Sequence, residues 1–258
     1  MPAPRNRLKA ALAEGRLQTG LWLAFANPTA AEIAARAGFD WCLIDCEHAP
    51  NDIPLVQAQC QAMSGGSSSV VVRVAEGNAR LLKQVLDIGV QTVLIPMVDT
   101  VAQAKDILRF TRYPPEGVRG VGAAQSRATF FGEVGDYVTT ATDEICVLVQ
   151  AETRLALSNI EDIAALPGID GIFIGPADLA ADMGHLGNPG HPDVVAAIED
   201  GVRRIRAAGK AAGIVTFDPT QARRLAALGF NFLAVGGDVS CYARALRSLA
   251  AEAKTLSD

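Results

Sequence analysis

Two carboxylates, Glu152 and Asp178, each stand just past a short apolar run. Residues 145–149 lead into Gln150-Ala151-Glu152, and residues 171–174 lead into Gly175-Pro176-Ala177-Asp178. Both runs have the length and β-branched content of buried parallel strands. The segment between them, about 154–166, reads as a helix closed by Pro167-Gly168. This is a β-α-β unit with an acid at the C-terminal end of each strand. Adjacent parallel strands lie about 4.8 Å apart, so the two acids can share a divalent cation. Acids also favour helix N-termini on electrostatic grounds alone. Two on adjacent strand ends, with Gly175-Pro176 opening the second loop, favour a metal site.

The elements that must position these acids repeat along the chain. A helix over 6–14 comes first. Strands are expected over 19–25, 40–45, 69–74, 92–97, 145–149, 171–174, 211–216 and 231–235. Helices over 28–36, 53–63, 79–88, 101–111, 154–166, 192–208, 219–228 and 239–254 alternate with them, with a long loop over 113–131 and a short helix over 132–140. Eight alternations without a composition break predict one (β/α)8 TIM barrel, an α/β fold with 1–258 as a single domain. A doubly wound sheet is the runner-up. Its dinucleotide fingerprint is missing, because Gly120-Val121-Gly122 lacks a third glycine and follows no strand.

Composition narrows the function classes. The chain has 258 residues, 50% of them hydrophobic and 5% aromatic, enough to bury a core without disulfides. A net charge of −5 with no basic block argues against nucleic acid as a partner. Five cysteines form no C-x-x-C pair and leave an odd count, as expected of reduced thiols in the cytoplasm. The charged N-terminus lacks a signal core, and no apolar run approaches a membrane span.

In a barrel, catalysis collects at the C-terminal strand ends. Those ends carry Asp45, Glu47 and His48 after strand two, Arg73 at the end of strand three, Gln150 and Glu152 after strand five, and Asp178 after strand six. Arg73 follows three valines inside the barrel, where a guanidinium must hold an acid, a metal-site neighbour or an anionic ligand to offset desolvation. Asp87 falls in the last turn of helix three, where a negative charge is mildly unfavourable. His185 and His191, in a Gly/Pro-rich loop, are expected to be solvated. Cys42 and Cys46 lack zinc spacing and read as core and near-core thiols. A Schiff-base enzyme needs an amine at the barrel mouth. Lys9, Lys83, Lys105 and Lys254 lie on terminal or surface-helix segments, and Lys210 precedes strand seven at the opposite rim. If this site stabilises a carbanion or enolate, a metal must do it.

The chain resembles the HpcH/HpaI family of metal-dependent pyruvate aldolases, most closely its 4-hydroxy-2-oxoheptanedioate aldolase branch. The likeness runs through GLWL (20–23), AGFDW (37–41), DCEHAPND (45–52), VVRV (71–74), RYPPEGVRGVG (112–122), VLVQAETR (147–154), GIFIGPADLAADMG (171–184) and GKAAGI (209–214). The resemblance implies a phosphoenolpyruvate/pyruvate-type barrel in which Glu152 and Asp178 bind Mg2+ or Mn2+, with Co2+ tolerated. It implies His48 as catalytic acid/base assisted by Asp45 and Asp87, and Arg73 on the bound oxoacid. Gln150, Gly175, Pro176, Ala177, Val215 and Trp22 complete the substrate-binding set. The implied substrates are a 4-hydroxy-2-oxo acid, pyruvate and an aldehyde, as in aromatic catabolism, handled through a metal-stabilised enolate.

The resemblance also implies a homo-oligomer, a hexamer built as a trimer of dimers. Asp87 would then reach His48 of a neighbouring subunit, and the final helix, about 239–256, would pack across subunits. Departures from the branch pattern fall at Ala180 and at Val215-Thr216-Phe217-Asp218, on the aldehyde side. Competing readings are a sugar-acid (2-keto-3-deoxy) aldolase of the same family, a citramalyl- or malyl-CoA-type lyase, and a non-catalytic barrel with a structural metal. The CoA lyase needs a basic groove that this acidic chain does not display.

Overall fold

The chain, a computed structural model, is described over residues 1–257. Its strands are β1 (Gln18–Leu23), β2 (Trp41–Asp45), β3 (Ser69–Arg73), β4 (Thr92–Ile95), β5 (Cys146–Ala151), β6 (Gly171–Ile174), β7 (Ala211–Val215) and β8 (Phe232–Gly237). They pair in parallel in chain order, and β1 closes on β8. The expected barrel is therefore the fold, and closure rules out the open doubly wound sheet. Around it lie α1 (Arg7–Ala13), α2 (Pro28–Ala35), α3 (Ile53–Met63), α4 (Ala79–Asp87), α5 (Val101–Thr111), α6 (Tyr137–Glu144), α7 (Arg154–Ser158), α8 (Ile160–Ala164), α9 (Pro176–Asp182), α10 (Pro192–Ala207), α11 (Ala222–Leu228) and α12 (Asp238–Lys254).

Strand alternation divides the buried residues into two layers. Leu43, Val71, Leu94, Leu148 and Phe173 fill the barrel interior with Trp41 and Phe232. Their neighbours Ile44, Val72, Val93, Val149 and Ile172 face outward against the helices. Leu8 and Leu12 of α1 join the inner cluster. Trp41 stacks on Phe232 with centroids 4.0 Å apart. Only a glycine fits at Gly20, where a Cβ would come within 2.1 Å of the Trp41 ring.

The period of two also explains the site. Asp45, Arg73, Gln150 and Gly175 each follow an interior residue by two positions, so they continue the inner face at the open end of the barrel. Helix starts are fixed by side-chain caps from Asn27, Asp52, Asn78, Thr100 and Thr153. Each such cap contributes about 1 kcal/mol.

Three expected helices differ in their course, and β1, β4 and β8 differ at their ends from the expected 19–25, 92–97 and 231–235. The helix over 154–166 is interrupted at Asn159, whose side chain donates to the Asp99 carbonyl (2.7 Å), leaving the short α7 and α8. The helix over 132–140 starts later, at Tyr137, because Gly132 adopts a left-handed φ of 103°. The helix over 219–228 opens as a 3-10 turn at Pro219–Gln221. Among the described residues, no helix is long and apolar enough to cross a membrane.

Candidate active site

A cavity of about 690 Å³ opens at the C-terminal end of the barrel. Trp22, Asp45, His48, Arg73, Gln150, Glu152, Gly175, Pro176, Ala177, Asp178 and Val215 all line it. Of the catalytic, substrate-binding and metal residues that the resemblance implies, Asp87 alone does not. It ends α4, which runs antiparallel to the strands, so it sits at the rim opposite His48 of its own chain. There it accepts from Arg119 Nη2 (2.7 Å), a guanidinium that is fully buried over the Tyr113 ring at 4.5 Å. Arg119 comes from the long glycine-rich loop, and its pairing with Asp87 left no trace in residue spacing.

β2 and β3 pair Asp45 directly with Arg73. The guanidinium grips the carboxylate with both arms, Nε to Oδ1 (2.8 Å) and Nη2 to Oδ2 (2.6 Å). Burial pushes the Asp45 carboxyl up, but the hydrogen bonds and charge of Arg73 outweigh it and hold it below its ordinary value. Trp22 Nε1 donates to the same acid (3.1 Å), and Arg73 lies over the Trp22 ring at 4.8 Å. Asp45 Oδ1 also accepts the backbone N–H of Glu47 (3.0 Å) and of His48 (3.4 Å). Asp45 thus shapes the turn that presents His48, hydrogen-bonding its backbone N–H and not its ring. The imidazole is 68% exposed, its Nε2 4.0 Å from Glu47 Oε2.

Glu47 was visible at the rim without a role. Its Oε2 lies 2.7 Å from Arg73 Nη1, an ion pair lacking hydrogen-bond alignment, since the same buried oxygen has no hydrogen-bond donor among the described residues. Burial pushes the Glu47 carboxyl above its ordinary value despite Arg73 and His48.

Glu152 is the most perturbed acid of the site. It is 2% exposed. Desolvation, with the charges of Glu47 and Asp178 added, pushes its carboxyl up to about 7 against the lowering effect of the Met97 N–H and Arg73. Met97 N–H donates to Oε2 (3.0 Å) and Gln150 Nε2 to Oε1 (2.8 Å). A Cβ at Gly175 would stand 2.2 Å from Oε1, so the glycine is what lets the loop after β6 close on this acid. Gln150 Oε1 is buried and has no donor among the described residues.

A buried acid crowded by two others, with one guanidinium already paired, is an electrostatic environment that a divalent cation relieves. The residues present therefore fit a metal at Glu152 and Asp178. None of the five lysines lines the cavity among the described residues. Lys9 and Lys210 donate instead to the carbonyls of Ile145 and Ile169, just before β5 and β6, at the opposite rim.

Val239 and Arg247, not singled out in the sequence, line the cavity beside Phe217. Phe217, Val239 and Arg247 bring apolar surface and a cation from the loop after β7 and from α12. Asp238 ties α12 to the end of β1 by accepting from the N–H groups of Ala24 (2.9 Å) and Phe25 (3.1 Å). Cys42 is buried, and burial lifts its thiol to about 11. Half-buried Cys46 is lifted by the same cause to about 12. Neither is a ready nucleophile, as expected of core thiols. His185 and His191 depart from expectation: both are half-buried, and their rings stack on each other.

Comparison with known proteins agrees over the whole barrel. The family model described as HpcH/HpaI aldolase/citrate lyase matches residues 18–245. A hydroxypyruvate/pyruvate aldolase from Deinococcus radiodurans is 58% identical, over 98% of this chain and 91% of its own. A 4-hydroxy-2-oxo-heptane-1,7-dioate aldolase from Klebsiella pneumoniae is 52% identical, over 95% of this chain and 93% of its own. The crystal structure of an HpcH/HpaI aldolase/citrate lyase family protein from Burkholderia cenocepacia superposes with a TM-score of 0.93 at 41% identity, covering 96% of this chain and 99% of that one. A family match over the barrel, relatives above half identity and a shared backbone agree, and the chain belongs to the HpcH/HpaI aldolase/citrate lyase family as one of its aldolases.

Proposed function

We propose that the chain is a divalent-metal-dependent pyruvate aldolase that reversibly cleaves 4-hydroxy-2-oxo acids to a pyruvate-type 2-oxo acid and an aldehyde. The observation that carries this reading is the raised, buried Glu152 carboxyl beside Asp178 and Glu47. Relatives named for hydroxypyruvate/pyruvate and for 4-hydroxy-2-oxo-heptane-1,7-dioate are similar to this chain at 58% and 52% identity. The 2-oxo acid half of the reaction is thus the part the reading rests on.

Glu152 and Asp178 would hold the ion, Mg2+ or Mn2+ with Co2+ as a substitute. Bound there, it would supply a Lewis acid for the keto oxygen of the oxoacid, stabilising the negative charge left when the C3–C4 bond breaks in cleavage or a C3 proton departs in synthesis. Arg73 has five N–H donors; two are hydrogen-bonded to Asp45, and those not so bonded can meet the same keto oxygen. The first turn of α9 has no side-chain cap, so the N–H groups of Ala177 and Asp178 are free to receive the oxoacid carboxylate. His48, exposed and hinged on a turn held by Asp45, takes the 4-hydroxyl proton in cleavage as the C3–C4 bond breaks and the aldehyde leaves. A proton then returns to C3 to complete the 2-oxo acid; synthesis runs these steps in reverse. Trp22 and Val215 wall the cavity and limit water around the reacting carbons.

The test is metal dependence without an imine. EDTA is expected to abolish aldol activity, and Mg2+, Mn2+ or Co2+ to restore it. Borohydride with pyruvate should leave the protein mass unchanged. A trapped adduct on any lysine overturns the reading.

We further propose a homo-oligomer, a hexamer made as a trimer of dimers, with Asp87 reaching His48 of a neighbouring subunit. α12 supports it: none of its residues is buried, and Val239, Tyr242, Leu246 and Leu249 are exposed along it. Phe130 and Phe131, at 52% and 69% exposure, add apolar surface elsewhere. Asp87 would orient the imidazole as a carboxylate does in other acid/base pairs. Co-refolding inactive His48→Ala with Asp87→Ala should recover activity at roughly a quarter of the sites, by random mixing across a symmetric interface. Activity no higher than the average of the two parents, or an active monomer by light scattering, contradicts it.

A further inference from the structure

Two of the three histidines in the chain, His185 and His191, lie in the loop between α9 and α10, outside the cavity at the barrel mouth. Their ring centroids are 3.5 Å apart and their planes differ by 13°. His185 Nε2 lies 3.6 Å and His191 Nδ1 3.7 Å from one oxygen, Oδ2 of Asp193. One ligand atom from each residue falls within 4.8 Å of the others, the only such group of three found among the described residues.

The loop builds this arrangement. His185 N–H donates to the Ala180 carbonyl (2.7 Å), Asn188 N–H to His185 (2.9 Å) and His191 N–H to Asn188 (3.1 Å). Gly184 and Gly187 turn the chain at φ of 84° and 77°. His191 opens α10, and its Nδ1 accepts the Asp193 N–H at 3.3 Å, a long bond that a stronger acceptor contact can replace.

The separations decide what the cluster suits. At 3.6 and 3.7 Å the nitrogens are too far from Asp193 Oδ2 for hydrogen bonds. Nitrogen and oxygen ligands about 2.1 Å from one tetrahedral ion stand about 3.4 Å from each other. Both nitrogen–oxygen separations are within a few tenths of an ångström of that spacing, the two nitrogens lie within 4.8 Å of each other, and one ring must turn out of the stack for the two in-plane lone pairs to meet at one point.

We propose that His185, His191 and Asp193 form a second metal site, distinct from Glu152 and Asp178, with water in the remaining position. Two imidazoles and one carboxylate select Zn2+, Ni2+ or Co2+, whereas the all-carboxylate pair at the barrel mouth suits Mg2+ or Mn2+. The ion pins the turn between α9 and α10, one helix away from Asp178 in the first turn of α9. It clamps the loop and takes no part in bond making.

The test uses untagged protein saturated with Mg2+. Calorimetric titration with Zn2+ should show one further equivalent, and Co2+ should give the intense visible bands of a four-coordinate nitrogen-containing site. His185→Ala and His191→Ala should each weaken Zn2+ binding by at least about 100-fold, the loss of one of three protein ligands, while Mg2+-supported aldol activity persists. Cys241, the exposed thiol, is controlled by Cys241→Ser, which should bind Zn2+ as the parent does. In the unaltered protein, Zn2+ should shift the ring proton signals of two of the three histidines and leave His48 in place. Zn2+ binding that survives both histidine variants, depends on Cys241, or shifts only the His48 signal overturns the proposal.

Discussion

Glu152→Gln is expected to lower aldol activity by at least about 1,000-fold while making the metal-free protein more stable. The loss of activity follows from replacing one of two carboxylates that would hold the ion, an interaction worth at least about 4 kcal/mol in the transition state. The gain in stability follows from burial. Desolvation and the nearby charges of Glu47 and Asp178 raise the Glu152 carboxyl from 4.5 to about 7. Below about pH 4.5 both folded and unfolded chains hold the proton, and the site carries no penalty. Between 4.5 and 7 the unfolded chain releases it first, so metal-free stability falls as pH rises, by on the order of 3 kcal/mol. Above about 7 the loss is complete. Glutamine has the same shape and no charge, so the variant's denaturation midpoint should be flatter across that window. Added Mg2+ should raise the parent's midpoint more at pH 8 than at pH 5.5 and leave the variant's unmoved. A variant equal to the parent in both stability and metal response removes Glu152 from the metal site.

Arg73→Lys is expected to cost about 100- to 1,000-fold in kcat, with a smaller effect on affinity for pyruvate. A lysine keeps the charge but not the planar fork that grips Asp45 at 2.8 and 2.6 Å. The remaining N–H donors matter most as charge develops on the keto oxygen, where one such donor contributes about 3–4 kcal/mol. Because an interaction that strengthens in the transition state lowers kcat more than it raises KM, steady-state kinetics separate this from plain binding. The variant should also unfold more easily, by about 1–3 kcal/mol, since the buried Asp45 loses aligned partners. A lysine variant that is less stable but turns over normally would make Arg73 a structural ion pair only.

Much of this was legible in the chain because barrels encode themselves locally. Apolar runs of four to six residues, the first five followed by a side-chain-capped helix, specify strand and helix, and period two then carries Asp45, Arg73 and Gln150 to the open end. Gly175 was legible as a loop opener, though not as the position whose missing side chain admits Glu152. What was not legible depends on contacts between distant segments. Arg119 meets Asp87 across 32 residues, and no spacing rule connects a glycine-rich loop with a helix end. Val239 and Arg247 reach the cavity because α12 folds over the end of β8 and β1. His185 and His191 look like solvated loop residues in one dimension; the turn at Gly184 and Gly187 is what stacks them.

The most direct measurement of the central claim is methyl-proton exchange of pyruvate in D2O, followed by NMR with no aldehyde present. Metal-loaded protein should deuterate the methyl group, EDTA should stop the exchange, and Glu152→Gln should not support it even with Mg2+ restored. Exchange that continues undiminished after metal removal, or metal-loaded protein that never exchanges the methyl protons, contradicts a metal-assisted enolate at Glu152 and Asp178.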